Sequence, residues 1–401
     1  MNALLSSRRR VLDAPVAAKN RRGATLVLIA VMSSALVSLG VLVINWSYIE
    51  LTNTQLRSAT DAAAKAAVVA LSHTQQQSHA RDAAREIASQ YRIGGQQLNL
   101  SDGDIEFGNG VPDGAGGYDF VADQLPLNCA RVVGQCGGNS ATAAVPVLFA
   151  HLLPKDSFDL EKDAIAGRYD HDVCVVVDRS GSMAWDFTGT DFSYPDEYRT
   201  DSTVQNYFRP PHPTGSRWAN LELALGKFRE VVERRDLNAK VGLVSYSSNY
   251  TFGLFNSTTV TTNQTLHADT SRFVNAAQVI GASAVIGNTN IGAGIDRGVA
   301  VVTDAARSRL TANRTIVLLS DGRRTEGADP IIRAQAAVAN RITVHTICLG
   351  GNTADQNVMQ QVASVTGGDF YHVALGGPNS AAGLINAFEQ IAEELPAVLI
   401  Q

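Results

Sequence analysis

The chain has few charged and few aromatic residues, and it lacks the common motifs of nucleotide-binding and hydrolytic enzymes. Of its 401 residues, 18% are charged, 6% are aromatic and 45% are hydrophobic. No GxxxxGK(S/T) phosphate loop, GxGxxG fingerprint, GxSxG nucleophile elbow or HExxH pattern occurs in it. A net charge of −5 excludes a general nucleic-acid-binding surface, and the hydrophobic content excludes wholesale disorder. The length predicts about two or three folded units.

Charged residues are missing altogether from Gly23 to Ile49. The apolar part, Ala24 to Ile44, would span roughly 31 Å as a helix, which matches a bilayer core of about 30 Å. Residues 1–22 contain six basic residues and one acidic residue, a net charge of +5, so residues 23–401 carry −10. The positive-inside rule then predicts a single-pass anchor with a cytoplasmic N-terminus and an extracytoplasmic body in the cell envelope.

Two alternatives to a membrane span at 23–49 are a cleaved signal peptide and a buried core helix. A signal peptide usually has an apolar core of about 7–15 residues, and no small-x-small cleavage pattern ends this stretch before Asn45. A core helix would carry some charge over such a length. We therefore expect a retained anchor.

The first part of the body divides by composition into two segments. Residues 50–95 are rich in alanine and predict a helical stalk, with a break in the polar segment from Ser72 to Ser78 and an end at Gly94-Gly95. Residues 96–168 alternate short apolar segments with clusters of Gly, Pro and Asn. This pattern predicts a β-rich module, and we expect a small α+β unit next to the membrane.

The four cysteines fall into two kinds of setting. Cys129 and Cys136 are flanked by turn residues in the β-rich module, where we expect a short disulfide loop in an oxidising exterior. Two free thiols are the alternative there. Cys174 and Cys348 lie in predicted core strands, where we expect buried free thiols rather than a bridge.

Strand and helix patterns alternate through residues 169–395, and residues 396–401 remain as a short tail. The β-branched run at 172–178 is typical of a buried central strand, whereas amphipathic segments such as 216–235 and 291–310 predict helices. This alternation predicts an α/β domain with a doubly wound, mostly parallel sheet of the Rossmann-like class. An aromatic and acidic insertion at residues 184–216 precedes the first of these helices and is either a flexible flap or a ligand-facing loop.

Hard oxygen ligands collect at the predicted carboxyl edge of this sheet. Asp178, Ser180 and Ser182 follow the first core strand, Asp321 ends another strand, and Thr289 lies just before a helix. Because ligands of open α/β sheets bind beyond the carboxyl ends of strands, we expect these side chains to meet there. Two carboxylates and three hydroxyls suit Mg²⁺, with Mn²⁺ or Ca²⁺ as alternatives. A hydrogen-bonded turn without metal is the competing interpretation.

The pattern Asp178-x-Ser180-x-Ser182, followed by Thr289 and Asp321, resembles the metal-ion-dependent adhesion site (MIDAS) of von Willebrand factor A (VWA) domains. The resemblance implies a VWA fold for the α/β domain. It implies that Ser180 and Ser182 bind the metal directly and that Thr289 binds directly or through water. It implies that Asp178 and Asp321 act mainly through bound waters, and that an acidic side chain of a protein partner completes the coordination.

The N-terminal region resembles a second family. The run Arg21-Arg22-Gly23 before the apolar segment, and LRSATDAAA at 56–64, are similar to TadG-like proteins of the tight-adherence (Flp) pilus system. The resemblance implies pilus-assembly components as partners. Related pseudopilins carry Glu at the fifth position after a processed Gly, whereas Leu28 stands at that position here. We therefore expect an anchor that is not processed after Gly23.

These observations predict a membrane-anchored, non-enzymatic protein that binds a protein partner through a Mg²⁺-dependent MIDAS, in tight-adherence pilus assembly or adhesion. One alternative is a structural envelope or pilus component with a vestigial metal site. Another is a metal-dependent phosphohydrolase of the haloacid-dehalogenase type. Such an enzyme needs a second Asp two positions after its first, and Ser180 stands there instead.

Overall fold

A computed structural model describes residues 22–112, 118–138, 140–150, 154–235, 237–321 and 324–395. The predicted basic tip, apart from Arg22, and the predicted tail 396–401 lie outside these residues. The helices in the described part are α1 (Arg22–Thr74), α2 (Gln77–Ser89), α3 (Thr203–Tyr207), α4 (Arg217–Arg234), α5 (Ser271–Gly281), α6 (Ile291–Val302), α7 (Pro330–Ala339), α8 (Thr353–Thr366) and α9 (Ser380–Glu394).

The strands fall into two sets. Those of the first half are β1 (Arg92–Ile93), β2 (Gln96–Gln97), β3 (Ile105–Pro112), β4 (Tyr118–Ala122), β5 (Cys129–Cys136), β6 (Val145–Pro146), β7 (Ser157–Phe158) and β8 (Leu160–Gly167). Those of the second half are β9 (Asp170–Asp178), β10 (Ala239–Tyr246), β11 (Tyr250–Phe252), β12 (Phe255–Ser257), β13 (Val260–His267), β14 (Ala312–Ser320), β15 (Ile342–Leu349) and β16 (Phe370–Val373).

The long helix α1 has two halves with different surroundings. Most of its apolar side chains between Leu26 and Ile44 are exposed, whereas those from Leu56 to Leu71 are buried in a core. Within the described residues, α1 is the one helix long and apolar enough to cross a membrane. It ends at Thr74 and α2 begins at Gln77, so the predicted break in the polar segment is confirmed.

The predicted end of the stalk helix is wrong by several residues. Helix α2 ends at Ser89, and Arg92 and Ile93 pair with Gln97 and Gln96 in a two-stranded ribbon. Gly94 and Gly95 form the tight turn of this ribbon, where both have positive φ. Glycine adopts this backbone conformation without steric cost, which explains the pair.

The second half of α1, helix α2 and a four-stranded sheet share one core. The sheet is antiparallel and has the order β4-β3-β5-β8. Alanines let the two helices approach closely, because a methyl group is the smallest side chain that still buries apolar area. The helical and β-rich segments therefore pack together as one α+β unit. Its fully buried residues include Leu56, Ala63, Ala67, Leu71, Ala84, Ile93 and Val132.

The predicted disulfide between Cys129 and Cys136 is wrong. These residues begin and end β5, a strand of eight residues. Their Cα atoms are therefore roughly 23 Å apart at about 3.3 Å per residue, whereas a disulfide needs less than about 7 Å. All four cysteines are buried and free, as expected for Cys174 in β9 and Cys348 in β15. The turn residues that flank Cys129 and Cys136 mark two ends of one strand.

The α/β half contains a six-stranded sheet in the order β13-β10-β9-β14-β15-β16. Five neighbouring strands are parallel, and β13 is an antiparallel edge strand next to β10. Helices α4, α5 and α9 cover one face, and α6, α7 and α8 cover the other. The predicted doubly wound, mostly parallel sheet is thereby confirmed.

Strand β9 is central to this sheet and is buried along its whole length. Its residues alternate between the two faces: Val173, Val175 and Val177 join one core, and Cys174 and Val176 join the other. The strand order reverses at β9, because β10 pairs with one side of it and β14 with the other. Such a reversal opens a crevice at the carboxyl ends of the strands.

The predicted helix at 291–310 ends early, at Val302. After this helix the chain turns, and two of its backbone N–H groups donate to side-chain acceptors from other parts of the chain. The N–H of Arg309 donates to Asp172 Oδ2 (2.7 Å), and that of Leu310 donates to Gln75 Oε1 (2.7 Å). Tertiary hydrogen bonds thus replace those that continued helix would make.

The two units of the chain meet at the amino end of β9. Asp170 is fully buried there. Its carboxylate accepts hydrogen bonds from Ser72 Oγ at the end of α1 (2.8 Å), Asn238 Nδ2 (2.6 Å) and Thr311 Oγ1 (2.5 Å). The junction with α1 therefore lies at the opposite end of the sheet from the carboxyl edge.

Candidate metal centre

Asp178 is the last residue of β9 and is fully buried. The backbone N–H of Ser180 donates to its Oδ1 (2.8 Å), and the hydroxyl of Ser320 donates to its Oδ2 (3.2 Å). The first bond closes the turn that follows the strand. Asp178 therefore shapes the loop that presents the two serines.

A chain of oxygen atoms runs from this loop to the end of β14. The Ser180 and Ser182 Oγ atoms are 3.0 Å apart, and Ser182 Oγ donates to Asp321 Oδ1 (2.8 Å). Because β9 and β14 are adjacent and parallel, their carboxyl ends meet at one edge. The structure thus brings together four of the five side chains that the sequence analysis singled out.

Thr289, the fifth residue, lies just before α6. Its backbone N–H donates to Thr325 Oγ1 (2.9 Å), and its carbonyl accepts from the backbone N–H of Thr325 (3.1 Å). With Ser182 and Asp321 it lines a cleft of about 800 Å³. The structure therefore places Thr289 on the same cleft wall as two of the other predicted ligands.

The site concentrates negative charge in a buried place. Burial and the nearby charge of Asp321 raise the pKa of Asp178 to about 7, although hydrogen bonds from Ser180 and Ser320 work in the other direction. Two carboxylates that share a buried site cannot both be ionised without a compensating positive charge. A cation would relieve this cost.

The spacing of the oxygens tests whether a small dication fits. The Ser180–Ser182 and Ser182–Asp321 oxygen pairs are 3.0 and 2.8 Å apart. Adjacent ligands of an octahedral Mg²⁺ ion with bonds of about 2.0–2.1 Å lie about 3 Å apart. The donor set consists of hard oxygens, which Mg²⁺ prefers. The residues therefore fit this ion in both spacing and chemistry.

Arg217, which the sequence analysis missed, is the first residue of α4 and is buried at the site. Its Nη1 donates to Asp321 Oδ2 (2.9 Å), and its Nε donates to the carbonyl oxygen of Asp186 (3.0 Å). An arginine at the start of an amphipathic helix is usually exposed. No local pattern distinguishes this one, so only the packing reveals it.

Tyr207, from the insertion, contacts two loops of the candidate metal site, the one after β9 and the one before α6. Its hydroxyl accepts a hydrogen bond from the backbone N–H of Gly287 (3.0 Å). A Cβ at Gly181 would come within 2.4 Å of the Tyr207 ring. Gly181 is therefore required because the ring lies against the loop between the two serines.

The insertion is a structured wall of the cleft rather than a flap. Burial opposes ionisation of Asp186, but hydrogen bonds from Ser193, Thr188 and Arg199 lower the pKa of Asp186 below its usual value. These bonds tie the insertion together around one carboxylate. Its residues on the cleft wall are Trp185, Thr188, Gly189 and Asp191.

Matches to family models define the class of the α/β half. The family model of the von Willebrand factor type A domain matches residues 214–377. The α/β half of the chain is therefore a VWA domain, and the structure places β9 with the Asp178 loop in the same sheet. A second model, described as putative Flp pilus-assembly TadE/G-like, matches residues 23–82. The same chain therefore contains a VWA domain and a TadE/G-like N-terminal region.

Several solved structures are similar at low identity. Proximal thread matrix protein 1 from the mussel byssus is 16% identical, with a TM-score of 0.37, over 56% of this chain and 47% of that chain. The SpRpn10 VWA domain is 16% identical, with a TM-score of 0.37, over 55% and 94%. The pilus adhesin SpaC from Lactobacillus rhamnosus GG is 13% identical, with a TM-score of 0.38, over 75% and 36%.

These likenesses are too distant to carry an argument about function. The chain spans about half the length of the mussel protein. No curated protein matches the chain. The two family matches and the apolar half of α1 indicate a membrane-anchored VWA protein associated with pili or adhesion. Domains of these two families are typically adhesion or assembly modules rather than enzymes.

Proposed function

We propose that this chain is a non-enzymatic binding protein of the cell envelope, whose MIDAS holds Mg²⁺ and captures an acidic side chain of a protein partner. The context would be tight-adherence pilus assembly or adhesion. The observation that carries the proposal is the row of oxygens from Ser180 through Ser182 to Asp321, beside the buried carboxylate of Asp178.

Some of the chain's residues would coordinate the ion directly, and others would act indirectly. The hydroxyls of Ser180, Ser182 and Thr289 would hold the ion, and Asp178 and Asp321 would act mainly through waters and hydrogen bonds. The bound ion supplies positive charge with a coordination position open to a carboxylate. Mn²⁺ or Ca²⁺ could replace Mg²⁺, since both accept oxygen ligands.

The placement of the anchor supports a role in outward binding. The end of α1 remote from its apolar half contacts the VWA domain at Asp170, and the candidate metal site begins at Asp178, at the other end of β9. Strand β9 has nine residues, so its terminal Cα atoms are roughly 26 Å apart at about 3.3 Å per residue. The site would therefore face away from the bilayer. A cytoplasmic N-terminus follows from the positive-inside rule.

One observation favours a second candidate, a structural pilus or envelope component with a vestigial site. The guanidinium of Arg217 already pairs with Asp321, which offsets one carboxylate without any metal. Metal binding distinguishes the two candidates, because a vestigial site would not take up the ion.

The deciding experiment is calorimetric titration of Mg²⁺ into the full chain in detergent micelles. We expect binding in the native protein and a loss of at least about tenfold in affinity in the double variant Ser180→Ala/Ser182→Ala. The matched control is Thr54→Ala/Thr74→Ala, which removes two exposed hydroxyls that bond backbone carbonyls of α1, away from the site. Absence of binding, or equal binding in both double variants, contradicts the metal-dependent function.

A crosslinking pull-down from cell envelopes tests the partner. We expect a protein captured by the native chain in Mg²⁺ to be lost in EDTA and in the Ser180→Ala/Ser182→Ala variant. Capture that persists under both conditions would favour the structural candidate.

A further inference from the structure

The guanidinium of Arg217 is fixed from several directions. Its side chain is 4% exposed, and its ion pair with Asp321 is 2.9 Å long. A second bond joins Nε to the carbonyl of Asp186, and the guanidinium lies 5.4 Å from the centre of the Trp185 ring. A buried arginine held by this many contacts has little freedom to move aside when a ligand binds.

Arg217 also changes the charge of the candidate metal site. Asp178 and Asp321 contribute two negative charges, and Arg217 contributes one positive charge. Among the described residues that line the cleft, Arg217 is the one lysine or arginine. With both carboxylates ionised, these three groups carry −1 without metal and +1 with a bound dication; the side chains of Asp191 and Asp355 also line the cleft.

We propose that Arg217 is an internal cation that weakens the site's own hold on Mg²⁺ and makes the loaded site attractive to a carboxylate. This inference rests on the proposed function and identifies Arg217 as the residue that sets the metal affinity of the site. A partner carboxylate would bring the loaded site from +1 to neutral. Metal and carboxylate would then bind cooperatively, because each raises the affinity for the other by the same factor.

The charge-neutral variant Arg217→Gln removes the positive charge and keeps hydrogen-bond donors near Asp321. Repulsion between a guanidinium and a dication in a partly buried site amounts to a change of roughly ten- to a hundredfold in affinity. We therefore expect Arg217→Gln to bind Mg²⁺ at least about tenfold more tightly than the native chain. The conservative variant Arg217→Lys keeps the charge and should stay within about threefold of native.

Calorimetry of Mg²⁺ binding to the full chain in detergent is the first measurement. The matched control is Arg229→Gln, which removes a half-exposed guanidinium elsewhere on α4 and leaves the Asp321 ion pair intact. A second neutral variant, Arg217→Met, replaces Arg217→Gln if the latter does not fold. Unchanged or weaker Mg²⁺ affinity in a folded neutral variant would overturn the inference.

Acetate is the probe for the carboxylate part. In sodium acetate, compared with sodium chloride of equal ionic strength, the apparent Mg²⁺ affinity of the native chain should rise. The rise should be smaller in Arg217→Gln. An equal rise in both proteins would mean that Arg217 does not link the two ligands, and that part of the inference would be wrong.

Thermal unfolding provides a readout that needs no partner. Mg²⁺ should raise the unfolding temperature more in Arg217→Gln than in the native chain, because the variant gains more from the ion. Binding by the variant but not by the native chain would support the role of Arg217 and contradict a loaded native site. Binding by neither would overturn both proposals. Binding by both with equal affinity would overturn this inference alone.

Discussion

Both ends of β9 have buried carboxylates, but the surroundings of these carboxylates differ. At the amino end, Asp170 and Asp172 are surrounded by donors that belong to the fold. At the carboxyl end, Asp178 and Asp321 lie close to each other, and the guanidinium of Arg217 pairs with Asp321. The first arrangement stabilises the junction with α1. The second leaves negative charge that a bound cation would neutralise.

At the amino end, Asp172 is paired with an arginine, although burial still raises the pKa of Asp172 above its usual value. Arg309 donates to Asp172 through Nε and Nη2 at 3.0 Å each, and its backbone N–H adds a bond of 2.7 Å. Asp170 receives three further donors, one of them Ser72 from α1. Such a network fixes the VWA domain on the end of the long helix.

The largest expected effect comes from breaking the amino end. Arg309→Met should lower the free energy of unfolding by about 3–5 kcal/mol, because it leaves Asp172 buried without its partner. Urea unfolding of the full chain in detergent measures this. The control is Arg307→Met, whose pair with Asp304 is half-exposed and should matter by less than about 1 kcal/mol. Equal losses in both variants would contradict the contrast.

The carboxyl end should make the metal-free protein less stable as pH rises. The pKa of Asp178 is raised from 3.8 to about 7 by burial and by Asp321, so the folded chain holds a proton that the unfolded chain releases. This stability is complete below about pH 4 and is lost as pH rises through about 7. At about 1.4 kcal/mol per pKa unit the loss approaches roughly 4 kcal/mol.

Urea unfolding in EDTA across this pH range, compared with Asp178→Asn, isolates the contribution. Asparagine cannot titrate. The free energy of unfolding of the native chain minus that of Asp178→Asn should therefore fall as pH rises. A difference that does not vary between pH 4 and 7 would show that the carboxylate of Asp178 is already compensated without metal.

A smaller effect is expected at the contact between α1 and the VWA domain. Ser72→Ala removes a buried donor to Asp170 and should cost about 1–3 kcal/mol of unfolding free energy. Thr74→Ala, two residues further along, removes an exposed hydroxyl that bonds only within the helix region, and should change it by less than about 0.5 kcal/mol. Equal costs would mean that the junction adds little to stability.

The smallest effect concerns the cysteines. Reducing agents should leave the unfolding midpoint unchanged, because Cys129 and Cys136 lie at opposite ends of β5 and do not pair. Alkylation of the denatured, unreduced chain, followed by mass measurement, should label four thiols. Labelling of two would show an oxidised pair and contradict the strand assignment.

Much of the fold follows from patterns that are local in the chain. The β-branched runs of β9 and β14 and the alternation with amphipathic helices predict the parallel sheet, because each strand is buried on both faces. The apolar half of α1 is evident from the absence of charge. Helix ends and the cysteines were predicted less well, since turn residues mark a boundary without showing which partner lies beyond it.

The five predicted oxygen-bearing residues could be singled out because strand ends in such a sheet converge by topology. Arg217 and Tyr207 could not, because their roles depend on how the insertion folds back over the loop after β9. The polar junction at Asp170 was equally hidden, since Ser72 and Asp170 are 98 positions apart in the sequence.

The sequence by itself therefore determined the anchor, the two families and the residue types at the sheet edge, because these depend on hydrophobic period and short motifs. Only the tertiary structure decided that a buried guanidinium enters the site, that the helical and β-rich segments share a core, and that the end of α1 and the candidate site lie at opposite ends of β9. Burial and charge pairing depend on contacts between distant segments, and no local pattern specifies those.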